Sequence, residues 1–288
     1  MFEAFGRSKR MFTESLAVIR RDKALLAFPV MSAMFTVAAL VAFVFGAYFA
    51  GFFVVTDAGH HGAEVQANVN AVLGYALLFV WYFVSWTIVL FFNVALIHCA
   101  KLHFDGQPVT ASDGLKCAMS HLPRILAWAA VSATVGVVLQ AIADKNKIVG
   151  GIVKWLVGAV WAVATFFIVP VMIYENLSLY ASFKRSIELI AKSWGEAAIG
   201  NVGVGYFMLL LALPAIIIAI VIAAVVPTVG IFVGGGLLVA YMAFLCVLSS
   251  AITGVMRAAL YNYASTGVVP SGMSQDVFAL AFKAKTKK

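Results

Sequence analysis

The chain of 288 residues is 64% hydrophobic and 11% charged, with mean hydropathy +1.02 and a formal net charge of +8. Soluble domains average roughly 45–50% apolar and about 25% charged residues, and so few charges cannot cover a water-facing surface. A soluble globule, a disordered chain and a disulfide scaffold are therefore excluded, which leaves an all-α polytopic membrane bundle.

A helix needs about 20 consecutive apolar residues to cross a hydrocarbon core of about 30 Å. In chain order, an amphipathic stretch at 2–28 leads into a span near 28–55, and a second span lies near 71–98. A further amphipathic stretch at 110–128 leads into spans near 122–143 and 148–174, and a third at 178–200 leads into spans near 200–226 and 231–256. Six transmembrane helices are predicted. Their apolar runs are long and unbroken, as in LLLALPAIIIAIVIAAVV at 209–226, whereas barrel strands would alternate over short segments. Apolar character persists from Ala24 to Val55, well beyond the roughly 7–15 residues of a signal-peptide core, so the first span is expected to remain in the mature protein. The connector DKNKIVGG at 144–151 is short and holds two lysines, and a re-entrant hairpin is the competing reading for the spans beside it. Pro214 falls inside the fifth span and predicts a kink. One membrane domain is expected over 1–270. A basic tail follows at 271–288, with a short surface helix and disorder of its last four residues.

The basic residues predict an orientation. Arg7, Lys9, Arg10, Arg20, Arg21 and Lys23 precede the first span; Lys101, Lys116 and Arg124 follow the second; Lys184, Arg185 and Lys192 follow the fourth. Arg257, Lys283, Lys285, Lys287 and Lys288 fall at the C-terminal end, and only Lys145, Lys147 and Lys154 fall on the other side. Thus 17 of the 20 Lys and Arg residues share a side with both termini, and the positive-inside bias makes that side cytoplasmic. These charges would lie against the anionic inner leaflet, where each contributes about 1 kcal/mol. Membrane lipids are the expected partners. Nucleic acid is not, because the basic residues are scattered and juxtamembrane. The outer loop at 56–70 holds Asp57, His60, His61 and Glu64 but no Lys or Arg. None of Cys99, Cys117 and Cys246 falls in an outer loop, so structural disulfides are not expected.

The three amphipathic stretches suggest an internal repeat. Sliding the first onto the third aligns Phe5 with Phe183, Arg7 with Arg185, Ser8 with Ser186, Met11 with Leu189 and Ser15 with Ser193. In the third, Phe183, Ile187, Ile190 and Trp194 recur at helical spacing, as in helices that lie in the membrane interface. The implied unit is an in-plane cytoplasmic helix followed by a two-span hairpin, three times over. Parallel repeats occur in transporters, and in membrane proteins without a transport role.

The segments RDKALLAFPVMSA (21–33), FFNVALIHCA (91–100), AWAAVSATVGVVL (127–139), AVWAVATFFIVPVMIYEN (159–176), FKRSIELIAKSWGEAAIGN (183–201) and MRAALYNYASTGVVP (256–270) resemble the bacterial six-span membrane family known as domain of unknown function 6159. The resemblance covers nearly the whole chain and is specific in the combination of its blocks. It implies a bacterial inner-membrane protein and brings no activity, substrate, cofactor or catalytic residue.

Polar residues inside spans are the remaining candidates, because a charge at mid-bilayer costs roughly 2.5–3.5 kcal/mol on insertion scales. Ser249, Thr253 and Arg257 share one face of the sixth span. They are either a polar cavity wall ending in a cation, or a packing face from which Arg257 snorkels to the headgroups. Glu175 and Arg257 are expected at the same depth, where they would form a partly buried ion pair. Asn93, on the second span, either ligates a substrate or hydrogen-bonds across helices. Ser132, Gly136 and Gln140 recur every four residues on the third span, with close helix contact expected at the first two and a hydrogen bond within the bundle at Gln140. Lys154 is expected to snorkel outward, and Gly234–Gly236 to allow a tight crossing or a mobile turn. His98, Cys99 and His103 diverge on a helix and are not expected to hold a metal. No phosphate loop, GxSxG or HExxH pattern is present, so an enzyme is not expected. Two readings remain: transport or lipid handling through a cavity between helices, and a structural or accessory scaffold with no substrate.

Overall fold

The computed structural model describes residues 2–49, 63–145, 147–225, 227–275 and 278, and every regular element among them is helical. The helices are α1 (Phe2–Arg21), α2 (Ala24–Phe49), α3 (Ala63–Phe104), α4 (Ala111–Ser120), α5 (Leu122–Lys145), α6 (Lys147–Ala164), α7 (Ile168–Tyr174), α8 (Leu179–Val225) and α9 (Pro227–Thr266). Six stretches are long and apolar enough to cross a membrane: Ala24–Phe49, Val72–Phe104, Leu122–Lys145, Gly150–Tyr174, Val204–Val225 and Phe232–Thr266. The chain is therefore read as a multi-pass membrane protein. Each span on either side of the 144–151 connector is long enough to cross by itself. His60, His61 and the last four residues lie outside the described residues.

Three boundaries differ from the sequence expectation. The helix of the second span already begins at Ala63, so part of the expected outer loop is helical. The third amphipathic stretch is no separate element: α8 runs 47 residues from Leu179 through the fifth span, about 70 Å of helix. The fourth span is split into α6 and α7 by a turn at Thr165–Phe167. Pro170 gives the physical reason for this split. It has no N–H to donate to the carbonyl four residues back, at Phe166, and its ring crowds that carbonyl, whereas the first turn of a new helix tolerates it. Around Pro214, by contrast, α8 continues, and the Tyr241 hydroxyl of α9 donates to the Leu211 carbonyl at 3.1 Å, beside the backbone bond that the proline removes.

The first two amphipathic stretches are joined to their spans by short breaks. Between α1 and α2 the chain turns at Asp22–Lys23, with the Asp22 N–H still bonded to Val18 O (3.0 Å) and the Leu25 N–H to Asp22 O (3.1 Å). Helix α4 starts at a Thr110 cap, whose hydroxyl accepts from the Asp113 N–H at 3.3 Å.

Beyond α9, the Ser271 hydroxyl donates to Phe104 O at 2.5 Å, and Ser274 bonds the Glu14 carboxylate through both its N–H and its hydroxyl. The start of the C-terminal segment, α1 and the end of α3 thus share one end of the bundle, here the terminal face. Phe278 is buried there against Tyr263, with ring centroids 5.1 Å apart.

The core lies toward this face. It is built from Met11, Ile19 and Phe28, from Val94–Ile97 of α3, from Ile125 and Trp128 of α5, from Phe167–Met172, and from Ala251–Tyr261 of α9. Close approach depends on small residues. A Cβ at Gly254 would lie 2.3 Å from Leu96 Cδ2, and one at Gly136 would lie 2.8 Å from the Tyr82 ring. Away from the terminal face, α2, α6, the second half of α8 and the first half of α9 turn large apolar side chains outward; Phe49 and Phe232 are 81% and 80% exposed. Exposed apolar area costs about 25 cal/mol per Å² in water and nothing comparable against lipid tails, which matches a bundle solvated by oil over that half.

Candidate functional site

The break in the fourth span is held open from α8. The Ser186 hydroxyl donates to the Ala164 carbonyl at 2.7 Å and accepts the Phe167 N–H at 3.1 Å, so one buried side chain satisfies both backbone ends. The Thr165 hydroxyl bonds back to Trp161 O at 2.8 Å. The turn sets Thr165 and Phe166 against a partly open cavity of about 510 Å³ lined by α3, α5, α6, α7 and α9.

Most of the cavity wall is apolar. Trp86 and Leu90 of α3, Val135 and Leu139 of α5, and Trp161 and Ala162 of α6 contribute to it. Trp128 and Trp161 stack at 5.7 Å with planes 4° apart, and Phe183 of α8 packs on both rings. The polar groups are Asn93, Ser132, Thr165, Ser250, Thr253 and Arg257. The Asn93 amide donates to Val89 O on its own helix at 2.9 Å. The hydroxyls of Ser132, Ser250 and Thr253 make no hydrogen bond among the described residues, and no Asp or Glu lines the cavity.

Arg257 is the one charged residue in the wall. Its side chain is half-buried in the bundle, its Nε is buried without a hydrogen-bond partner, and its Cζ sits 5.0 Å from the centroid of the Phe166 ring. Desolvating an ion costs several kcal/mol even after relaxation, whereas a cation–π contact returns about 0.5–2 kcal/mol. Phe166 therefore leaves most of that cost uncompensated.

The expected ion pair between Glu175 and Arg257 does not form. Glu175 Oε2 receives Arg185 Nε at 2.8 Å, and Oε1 accepts the Tyr261 hydroxyl at 3.2 Å. The cause is local: after α7 the chain reverses at Asn176, whose φ is +48°, and α8 brings Arg185 back over Glu175. Burial by itself lowers the Arg185 pKa, but the hydrogen bond and charge of Glu175, with help from Glu188, outweigh it and hold the guanidinium above its ordinary value. Arg124 of α5 completes this layer by donating to Met172 O at 3.0 Å and to Asn176 Oδ1, which caps the C-terminal end of α7. Arg257 lies one helical turn deeper than Tyr261, at the cavity wall.

Of the residues singled out by sequence, Asn93, Ser132, Gly136, Thr253 and Arg257 meet in the cavity. Ser249 does not line it; Ser250, its neighbour on α9, does. Gln140 lies outside it, nearer the opposite end. Lys154 Nζ donates to Gln140 Oε1 at 2.5 Å, Gln140 Nε2 to Asp144 Oδ1 at 2.9 Å, and the Tyr75 hydroxyl to Asp144 Oδ2 at 3.0 Å. Lys154 is thereby tied inward rather than extended, and Gly234 packs toward Ala219 O of α8. Near the terminal face, His98 Nδ1 lies 3.5 Å from the Tyr174 hydroxyl, the Cys99 thiol donates to Thr110 O at 3.4 Å, and His103 pairs with Asp22. These three side chains therefore point to separate partners. Burial raises the pKa of the Cys117 thiol, the opposite of what an activated nucleophile needs. Sequence reasoning missed Ser186 and the stacked tryptophans. Pro170 was the available signal for the break that Ser186 bridges.

A family model described as a family of unknown function, DUF6159, matches residues 72–272, about 70% of the chain. The chain belongs to this family. No curated protein and no solved structure matches it. The DUF6159 region runs from the first third of α3 to just beyond α9, so it contains every residue that lines the cavity, together with Glu175, Arg185 and Ser186. Helices α1 and α2 precede it.

Proposed function

We propose that this protein is a multi-pass protein of the bacterial inner membrane, with both termini in the cytoplasm, that holds an amphiphilic ligand in its inter-helix cavity for transport or lipid handling. The observation that carries the reading is a half-buried Arg257, with no carboxylate beside it, at the wall of a mostly apolar 510 Å³ cavity next to a broken span. Intramembrane ionisable residues that face a bundle interior mark ligand or ion paths by default, and interrupted helices beside cavities are a recurring feature of transporters. The threefold unit of amphipathic helix and hairpin belongs to the same proposal. Met11 and Leu189, which the repeat pairs, are both buried in the core. A scaffold with no substrate would have little use for the cavity. The reading assigns the protein no reaction, no metal and no cofactor.

The test is native mass spectrometry of the full-length protein extracted in mild detergent, beside Gly158→Phe. Gly158 lines the cavity, and a Cβ added there meets nothing within 4 Å, so the larger side chain starts from open space. Wild type is expected to retain a lipid-sized adduct that the variant loses. Equal spectra for the two proteins would contradict the reading.

A further inference from the structure

We infer that the occupant of the cavity is an acidic amphiphile whose single negative headgroup, a carboxylate or a phosphate diester, sits on Arg257 while its hydrocarbon chain lies along the tryptophan wall. This rests on the ligand-holding reading above and adds the chemistry of the ligand.

Three observations carry it. The Arg257 guanidinium presents its planar fork of N–H donors in a site with no protein carboxylate, and its Nε has no partner at all. Glu175, the carboxylate that the sequence suggested as its partner, has each oxygen engaged, one by Arg185 and one by Tyr261, so it cannot serve as the counter-ion without breaking that layer. The groups around Arg257 suit an anion: Thr253 and Ser250 stand one and two turns away on the same face of α9, with hydroxyls free to donate. Asn93 has its amide N–H₂ turned to Val89 O. One cation without a protein counter-charge fits one negative charge. A neutral or zwitterionic headgroup would leave the net charge of the site uncompensated. Beyond this end the wall is Trp86, Trp128, Val135, Leu139 and Trp161, which offers an acyl chain a mainly apolar surface with no charged group.

The stacked pair Trp128–Trp161 provides the readout, because bromine on an acyl chain quenches indole fluorescence only at short range. Full-length protein in neutral detergent is titrated with dibromostearate, with its methyl ester, and with brominated phosphatidylglycerol. Gly158→Phe supplies the background from tryptophans outside the cavity. At least one acidic probe is expected to quench saturably, with the ester needing about tenfold more or failing to saturate, the scale of a lost charge-assisted hydrogen bond. Arg257→Gln should abolish the difference between acid and ester, and Arg257→Lys should keep part of it. Preference for dibromostearate identifies a free fatty acid as the source of the anion, and preference for the phosphatidylglycerol identifies a phospholipid headgroup; either supports the inference. Equal quenching by acid and ester in wild type, abolished by Gly158→Phe, would overturn the anion while leaving the ligand-holding cavity intact. Quenching that Gly158→Phe does not change would overturn both. If Arg257→Gln does not fold, the comparison of acid with ester in wild type decides.

Discussion

Ser186 shows how much a single hydroxyl can hold in place. Its two bonds, to the Ala164 carbonyl and from the Phe167 N–H, replace the helical bonds lost at the break, and it is itself fully buried. Ser186→Ala leaves both backbone groups unsatisfied in an apolar setting, at a cost of about 1–3 kcal/mol. Thermal unfolding in detergent should show a lower Tm for the variant and weaker ligand retention; an unchanged Tm would mean that the break is not sustained by this contact. At this scale the sequence was only partly legible. Arg257, Thr253 and Asn93 stood out because a polar side chain in an apolar run is costly wherever it lands. The partner of Glu175 was not legible, since it depends on the left-handed turn at Asn176 that returns Arg185 to it. The choice between Ser249 and Ser250 turns on the rotation of α9 about its own axis, and an apolar helix surrounded by lipid and protein alike gives no hydropathy stripe from which to read that rotation.

The elements were legible where one strong physical term decides. All six spans follow from the length of their apolar runs, because lipid leaves the backbone no alternative to helix. The split of the fourth span was less visible, since Ala164–Phe167 contains no proline or glycine and the cause sits further on, at Pro170. The joining of the third amphipathic stretch to the fifth span was not visible for the opposite reason: Gly200 and Asn201 at the junction are residues that often end or begin a helix, yet one helix passes from the polar to the apolar segment. Threading is an element-scale property and rests on Lys and Arg, of which 17 of 20 share the side of the termini. Alkaline phosphatase fused into the connector between α2 and α3 is expected to be active, and fused after the last residue, inactive. Activity at the C-terminal fusion would reverse the proposed orientation.

At the scale of the whole molecule the bundle is asymmetric along its length. Toward the terminal face, helices, the C-terminal segment and the layer of Arg124, Glu175, Arg185 and Tyr261 pack into one core. Toward the opposite face the spans present apolar surface, and Lys154, Gln140, Asp144 and Tyr75 tie α3, α5 and α6 together. The cavity lies between these two regions, and the matched region of the family, residues 72–272, encloses it completely. In the proposed reading, the packed terminal face would close one end of a vessel for a ligand drawn from within the bilayer. The most direct measurement is an electron cryo-microscopy map of the full-length protein in lipid nanodiscs. The account expects elongated density along Trp128 and Trp161 that ends in contact with Arg257. A cavity filled by repacked side chains, or Arg257 paired with a carboxylate of the protein, would contradict it.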